Sequence, residues 1–320
     1  MENAQPKVSK NKQIFRIILF VSTFISLWFV PWILVKAWIL PLPKTVQEQV
    51  DQTLSHGFDG VIVYVDEAGK PPAFYTAGYH NKEQQIPAKP YALFKIASIS
   101  KLYVAVAITR LAYENQIDLN QPLSDYFPEL IGSIENADKI TLRMMVQHRS
   151  GIPNFTDNPK YWKNQPNTNI DVLTYALHLP AEFEPNKDYG YSNTNYLLLS
   201  RVIEQVSGGS RQDYFKQEIL IPLGLNHTYG SLSEVNIDDV MSGYYVGIDE
   251  DFKYEDNGMM LATAADVGTF LRALNNGTLL NEQEMEIYTS LYEFNHGGLA
   301  AGYQCLAEYH KDIDAVVVQF

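Results

Sequence analysis

The 320-residue chain carries 24 lysines and arginines against 37 aspartates and glutamates, and 46% of its residues are hydrophobic. Six of the basic residues precede residue 45 against the single acid Glu2, which leaves 18 basic and 36 acidic residues and a net charge of −18 for 45–320. A surface that acidic lacks the basic stripe that nucleic-acid binding requires. One cysteine, Cys305, rules out an internal disulfide and a multi-cysteine metal site. The seven histidines show no ligand spacing, so neither metal nor cofactor is implied.

Residues 1–16 read as a basic cytoplasmic tail. Ile17–Val35 then gives 19 residues without a charge. As a helix this run is about 28 Å long, close to the ~30 Å hydrocarbon thickness of a bilayer. The flank KAWILPLPK offers no small-residue cleavage site, which favours an uncleaved transmembrane helix over 17–40. Trp28, Trp32 and Trp38 read as its interfacial belt. Lysines ahead of the span orient a single-pass membrane protein with its N-terminus in the cytoplasm. Everything from residue 45 on is then periplasmic or extracellular.

PKTVQEQVDQTLSHG predicts a short helix closed by Gly57. Two β-rich runs, about 60–66 and 73–79, flank a Gly-Pro-Pro turn and predict a hairpin. Helical patterns fill 98–285, separated by polar loops such as NFTDNPKYWKNQPNTN. Strands return at the end, in GLAAGYQCLAEYH and DAVVVQF. This predicts an α+β domain over 45–320, with one antiparallel sheet built from both ends (57–80 and 292–320) around a large helical region.

Chemistry collects at three places. Ser98 opens an apolar helix, and Lys101 lies one turn on, on the same face, while Ser100 cannot face it. A lysine in that apolar setting, near the positive end of a helix dipole, has its pKa lowered and can take a serine proton. Capping explains Ser98 alone equally well. Ser9 and Lys12 share the S-x-x-K spacing in a polar tail, so context must separate the pairs. Next, Tyr191, Ser192 and Asn193 precede an apolar helix. A tyrosine can relay protons and an asparagine amide can orient a carbonyl, although an ordinary capping loop also fits. Tyr79/Asn81 and Tyr113/Asn115 repeat the spacing; the latter lies about 22 Å along the Ser98 helix and cannot meet the serine. Finally, His296, Gly297 and Gly298 lead into a late strand, where small residues let a substrate backbone approach. His148 reads as a turn residue that shapes the cleft. Tyr161 and Trp162 read as pocket lining or as loop anchors.

S-x-x-K at a helix start, then Y-S-N, then H-x-G on a late strand resembles the serine β-lactamase and penicillin-binding superfamily. LFKIASISK, LRMMVQHRSGIPNF, YGYSNTNYLLLSRVIEQVSGGS and GMMLATAADVGTFLRAL are similar, in order, to segments of the β-lactamase-related hydrolases near class C. The resemblance implies a β-lactamase/transpeptidase-like fold and a serine hydrolase that works through an acyl-enzyme. Ser98 would be the nucleophile and Lys101 its activating amine. Tyr191 would be the general base that also protonates the leaving group, and Asn193 would bind the substrate carbonyl. His296 and Gly298 would line the substrate site, with the backbone N–H groups of Ser98 and Leu299 as oxyanion hole.

Two departures from the pattern matter. His296 stands where lactamases carry lysine and would be a weaker, pH-dependent cation. This favours an ester or amide acyl substrate, of esterase or D-amino-acid and cell-wall peptidase type, over a β-lactam. A true β-lactamase and a non-catalytic sensor of cell-wall peptides are the alternatives. The resemblance also implies a C-terminal helix over one sheet face, and none is expected in a sequence that stops at Phe320.

Overall fold

Pro31 divides the apolar N-terminal stretch. The computed structural model describes residues 10–41, 43–163 and 172–320 and falls into two compact units, Met1–Gln49 and Val50–Phe320. In the first, α1 (Lys10–Trp28) and α2 (Trp32–Ile39) flank the break. Proline has no N–H for the preceding turn and its ring crowds the helix before it, so the helix stops short. The single span expected over 17–40 is thus corrected to two helices, and the first begins with Lys10, Lys12 and Arg16. Among the described residues, no helix is long and apolar enough to cross a membrane. Ser9 of the tail pair, and residues 164–171 of the Asn-rich loop, lie outside the described residues.

Further on, α3 (Val46–Thr53) runs into a 3-10 turn that Gly57 closes at φ 95°, a left-handed conformation suited to glycine. The expected hairpin forms from β1 (Gly60–Glu67) and β2 (Ala73–Asn81), in register from Gly60/Gly78 to Val65/Ala73. After β3 (Ile86–Pro87) come β4 (Phe94–Lys95), β5 (Thr228–Tyr229) and β6 (Leu261–Ala262). These last make a small antiparallel sheet in the order β4-β6-β5. It interrupts the region read as helical, because two-residue strands are too short to show alternation.

The chain's end supplies β7 (His296–Ala300), β8 (Tyr303–His310) and β9 (Ala315–Gln319). Together with the N-terminal strands they form a six-stranded sheet, β3-β2-β1-β9-β8-β7, antiparallel throughout. The sheet is therefore built from both ends of the chain, as expected, and β7 is one open edge.

In the helical region α4 (Ser100–Tyr113) packs against α6 (Asn193–Ser207) and α8 (Glu282–Leu291), α5 (Leu142–Val146) packs against α6, and α7 (Ala264–Asn275) lies directly on β1, β8 and β9. Gly268 of α7 faces Tyr64 of β1 so closely that a Cβ would come within 2.2 Å of the ring. From Lys101 to Thr109 every residue of α4 is buried, the mark of a helix surrounded by core. Tyr103 of α4 stacks on Phe270 of α7 at 3.8 Å. A central helix held this rigidly fixes the serine at its start.

Candidate active site

Ser98 occupies a 3-10 turn, Ala97–Ile99, that leads straight into α4. Ala97 has φ 42°, in the left-handed region that a Cβ disfavours. This turn packs against β7, where a Cβ on Gly298 would lie 2.6 Å from Ile96 O and 2.5 Å from Cys305 Sγ. Only glycine lets the edge strand approach the serine so nearly. Cys305 Sγ in turn donates to Ile96 O at 3.3 Å. Ser98 N–H lies among the opening donors of the turn and helix, which have no intrahelical acceptor. Leu299, on the neighbouring edge strand, is 78% exposed.

Lys101 is only 6% exposed. Its Nζ lies 3.0 Å from Ser98 Oγ and 2.8 Å from Asn193 Oδ1, donating to both as an ammonium. Burial in a pocket without a carboxylate pushes its pKa down to about 7. The Tyr191 and Tyr196 ring faces, 5.0 and 5.5 Å from Nζ, soften but do not cancel that cost. With the amine neutral, its lone pair becomes the acceptor for the Ser98 hydroxyl.

The loop before α6 brings Tyr191 to the serine from the other side, and its phenol donates to Ser98 Oγ at 2.8 Å. Desolvation pushes the phenol up to about 12, with the Ser98 bond pulling the other way. Resting Tyr191 thus keeps its proton. In this resting arrangement Tyr191 donates to Ser98 Oγ, the reverse of the bond a base there would make. With Oγ already accepting from Tyr191, its own hydrogen faces the lysine.

Asn193, the first residue of α6, completes the group. Its Nδ2 donates to Asn154 Oδ1 at 3.2 Å and Thr156 Oγ1 at 3.3 Å. Both amide hydrogens are engaged in this resting arrangement at the residue expected to bind a substrate carbonyl.

His148, 2% exposed and at φ 55°, stacks on Tyr191 with ring centroids 4.4 Å apart. Its Nδ1 accepts the Ser192 N–H at 3.1 Å, and desolvation, with Lys101 nearby, pulls its pKa down to about 3. This turn histidine is a neutral backing plate for the tyrosine. His296 differs from expectation more sharply. Its Nδ1 donates to Gly297 O, and its Nε2 accepts from Tyr292 at 2.8 Å. Desolvation lowers its pKa to about 4. Glu293 lies 3.5 Å from Nε2, but a neutral ring forms no ion pair with it. The pH-dependent cation expected at His296 is therefore corrected to a neutral, hydrogen-bonded imidazole.

Ser98, Tyr191, Asn193, His296, Gly298 and Leu299 all line one cleft of about 690 Å³. The decoys fall away. Asn81 bonds Ser242, Ser100 Oγ bonds Ala97 O, and Tyr161 packs on Phe155, Trp162 and Tyr175 as a loop anchor. Asn154, Thr156 and Tyr292 escaped the sequence reading, because nothing in their spacing marks them as partners of distant residues.

The sequence of residues 42–306 matches the family model described as Beta-lactamase. The chain belongs to the beta-lactamase family of serine hydrolases. This beta-lactamase-family chain is 31% identical over 207 residues to Penicillin-binding protein 4* of Bacillus subtilis, an overlap of 59% of the chain and 42% of that protein. It is 27% identical over 193 residues to Protein flp of Staphylococcus aureus, covering 58% of the chain and 39% of that protein. The chain thus spans about two fifths of the length of the curated relatives it matches. Its fold is that of D-amino acid amidase from Ochrobactrum anthropi SV3, with TM-score 0.74 and 22% identity over 85% of this chain and 89% of that one. A penicillin-binding protein from Bacillus halodurans matches with TM-score 0.71 and 22% identity, over 81% and 90%.

Proposed function

We propose that this protein hydrolyses esters or amides through an acyl-enzyme at Ser98, and that its substrate carries no free carboxylate beside the scissile bond. The observation that carries the reading is Ser98 Oγ held between Lys101 Nζ at 3.0 Å and Tyr191 Oη at 2.8 Å. Neutral Lys101 takes the Ser98 proton as Oγ bonds to the substrate carbonyl carbon. The Ser98 and Leu299 N–H groups take the oxyanion, worth about 3 kcal/mol per donor. On collapse the bond to the leaving group breaks, and that group leaves with the Tyr191 proton. The Tyr191 phenolate then recovers its proton from the Lys101 ammonium, whose Nζ lies 5.0 Å from the tyrosine ring. Water then attacks the acyl carbon, giving its proton to Lys101, and the released Ser98 Oγ takes it back.

The substrate class rests on charge. Apart from the buried Lys101, which turns to Ser98 and Asn193, no lysine or arginine is among the described residues lining the cleft, and His296 is neutral. A substrate carboxylate would be desolvated there without a partner, at a cost of several kcal/mol. A neutral amide or ester meets no such cost. The likeness to a D-amino acid amidase supports an amide substrate.

Membrane attachment through residues 17–40, with the catalytic unit outside the cytoplasm, belongs to the same proposal. Its support is the uncharged run 17–35 and the exposed Trp28, Trp32 and Trp38. A proline break is tolerated in bilayers where neighbours satisfy the freed backbone. Alkaline carbonate extraction of cells making the full chain, or residues 45–320 alone, separates the outcomes. Loss of pelleting only in the shorter form supports attachment, and equal solubility removes it.

For the chemistry, p-nitrophenyl esters, D-amino-acid amides, carboxylate-terminated D-alanyl peptides and a chromogenic cephalosporin are compared, with Ser98→Ala as control. Ester or amide turnover that Ser98→Ala abolishes is expected. Rapid cephalosporin turnover would overturn the substrate assignment.

A further inference from the structure

Asn154 stands outside every catalytic motif, yet its side chain is a hub. It is 8% exposed, at the start of the turn Phe155–Asp157. Its Oδ1 accepts from Asn193 N at 3.0 Å, Asn193 Nδ2 at 3.2 Å and Thr156 N at 3.5 Å, while its Nδ2 donates to Asp157 Oδ1 at 3.1 Å. Two backbone N–H groups can bond only to an oxygen, so they fix which way round the Asn154 amide sits. That oxygen, with Thr156 Oγ1, then requires the NH₂ of Asn193 and turns the Asn193 oxygen toward Lys101. Reversed, Asn193 would offer hydrogens to the lysine nitrogen and occupy the lone pair that Ser98 needs.

We infer that Asn154 is a positioning residue which, through Asn193, selects the amide orientation that aims the Lys101 lone pair at Ser98. This rests on the acyl-enzyme reading. Among the described residues the hydrogen bonds of the Asn154 side chain go to Asn193, Thr156 and Asp157, not to Ser98 or Lys101, so its effect passes through the neighbouring amide.

The probe is a fluorophosphonate, which loses fluoride as its phosphorus bonds to Ser98 Oγ and the serine proton passes to Lys101. Labelling rates across pH are measured for the full chain, separating saturation constant from maximal rate. Asn154→Ala is expected to slow the maximal rate about 10- to 100-fold, with the saturation constant within about twofold of the parent. Its acid limb moves to lower pH, because an oxygen that favours the ammonium is lost. The reciprocal double variant Asn154→Asp with Asp157→Asn keeps an acceptor facing Asn193 and a donor facing the partner, and restores the rate. Thr156→Val, which removes one acceptor and no backbone bond, shifts the profile in the same direction by less. It provides the reading if Asn154→Ala does not fold. Parent-like rate and pH profile in folded Asn154→Ala, or in Thr156→Val where that variant stands in, would overturn the inference. So would a folded double variant that stays slow. A parent protein that takes no label would instead overturn the acyl-enzyme reading, and the inference with it.

Discussion

Lys101 Nζ lies 2.8 Å from Asn193 Oδ1, although 92 residues separate them. The contact joins the first turn of α4 to the first residue of α6, two helices that pack together. A buried amine so placed has an acceptor for one hydrogen and a lone pair left for Ser98. The helix packing is thus part of the catalytic geometry.

pH dependence follows from that burial. Lys101 is the base when neutral, and its pKa is lowered to about 7. Acylation is expected to rise with pH through about 7 and reach a plateau, while Tyr191, raised to about 12, stays protonated. Linkage has the matching sign. The folded chain holds fewer protons at Lys101 than the unfolded chain between about 7 and the ordinary lysine pKa, so this site favours folding more as pH rises through that window. A pH series of labelling rates checks the limb; a rate flat from pH 5 to 9 contradicts it.

Lys101→Arg retains charge and loses function. A guanidinium cannot deprotonate near neutral pH. Turnover is expected to fall at least ~100-fold, the lower range for losing a general base. Circular dichroism verifies that the variant is folded.

Tyr191→Phe should separate substrates by leaving group. An amine must leave protonated, whereas p-nitrophenolate leaves as the anion. Amide turnover is expected to drop about 10²- to 10⁴-fold, and p-nitrophenyl ester acylation much less. Equal losses on both substrates would show that Tyr191 does something other than protonate the leaving group.

Backbone geometry beside the serine gives an opposed pair of substitutions. Gly298→Ala must displace β7 or the serine turn, since its Cβ would sit 2.6 Å from Ile96 O. It should destabilise the fold by about 1–3 kcal/mol and lower activity. Ala97→Gly relieves a Cβ held at φ 42° and should stabilise by about 1 kcal/mol. Thermal melts of both variants check the signs.

Ser98 and Lys101 were legible as neighbours because a three-residue spacing survives at a helix start. Tyr191 was placed with them by the resemblance of Y-S-N to the family pattern. The hairpin and the terminal strands were legible from their β-rich runs. Orientation was not. Whether Asn193 shows its oxygen or its nitrogen depends on Asn154 and Thr156, nearly forty residues upstream. The charge of His296 depends on burial and on Tyr292, and neither can be read from a lone histidine in a glycine turn. At the N-terminus the count of uncharged residues was right, but Pro31 outweighed it in deciding helix length.

The most direct measurement is intact-protein and peptide mass spectrometry after reaction with a fluorophosphonate at pH 8. One adduct per chain is expected, on the peptide containing Ser98, and none in Ser98→Ala. Full labelling of Ser98→Ala, or an adduct on any other residue of the parent, would contradict an acyl-enzyme at Ser98.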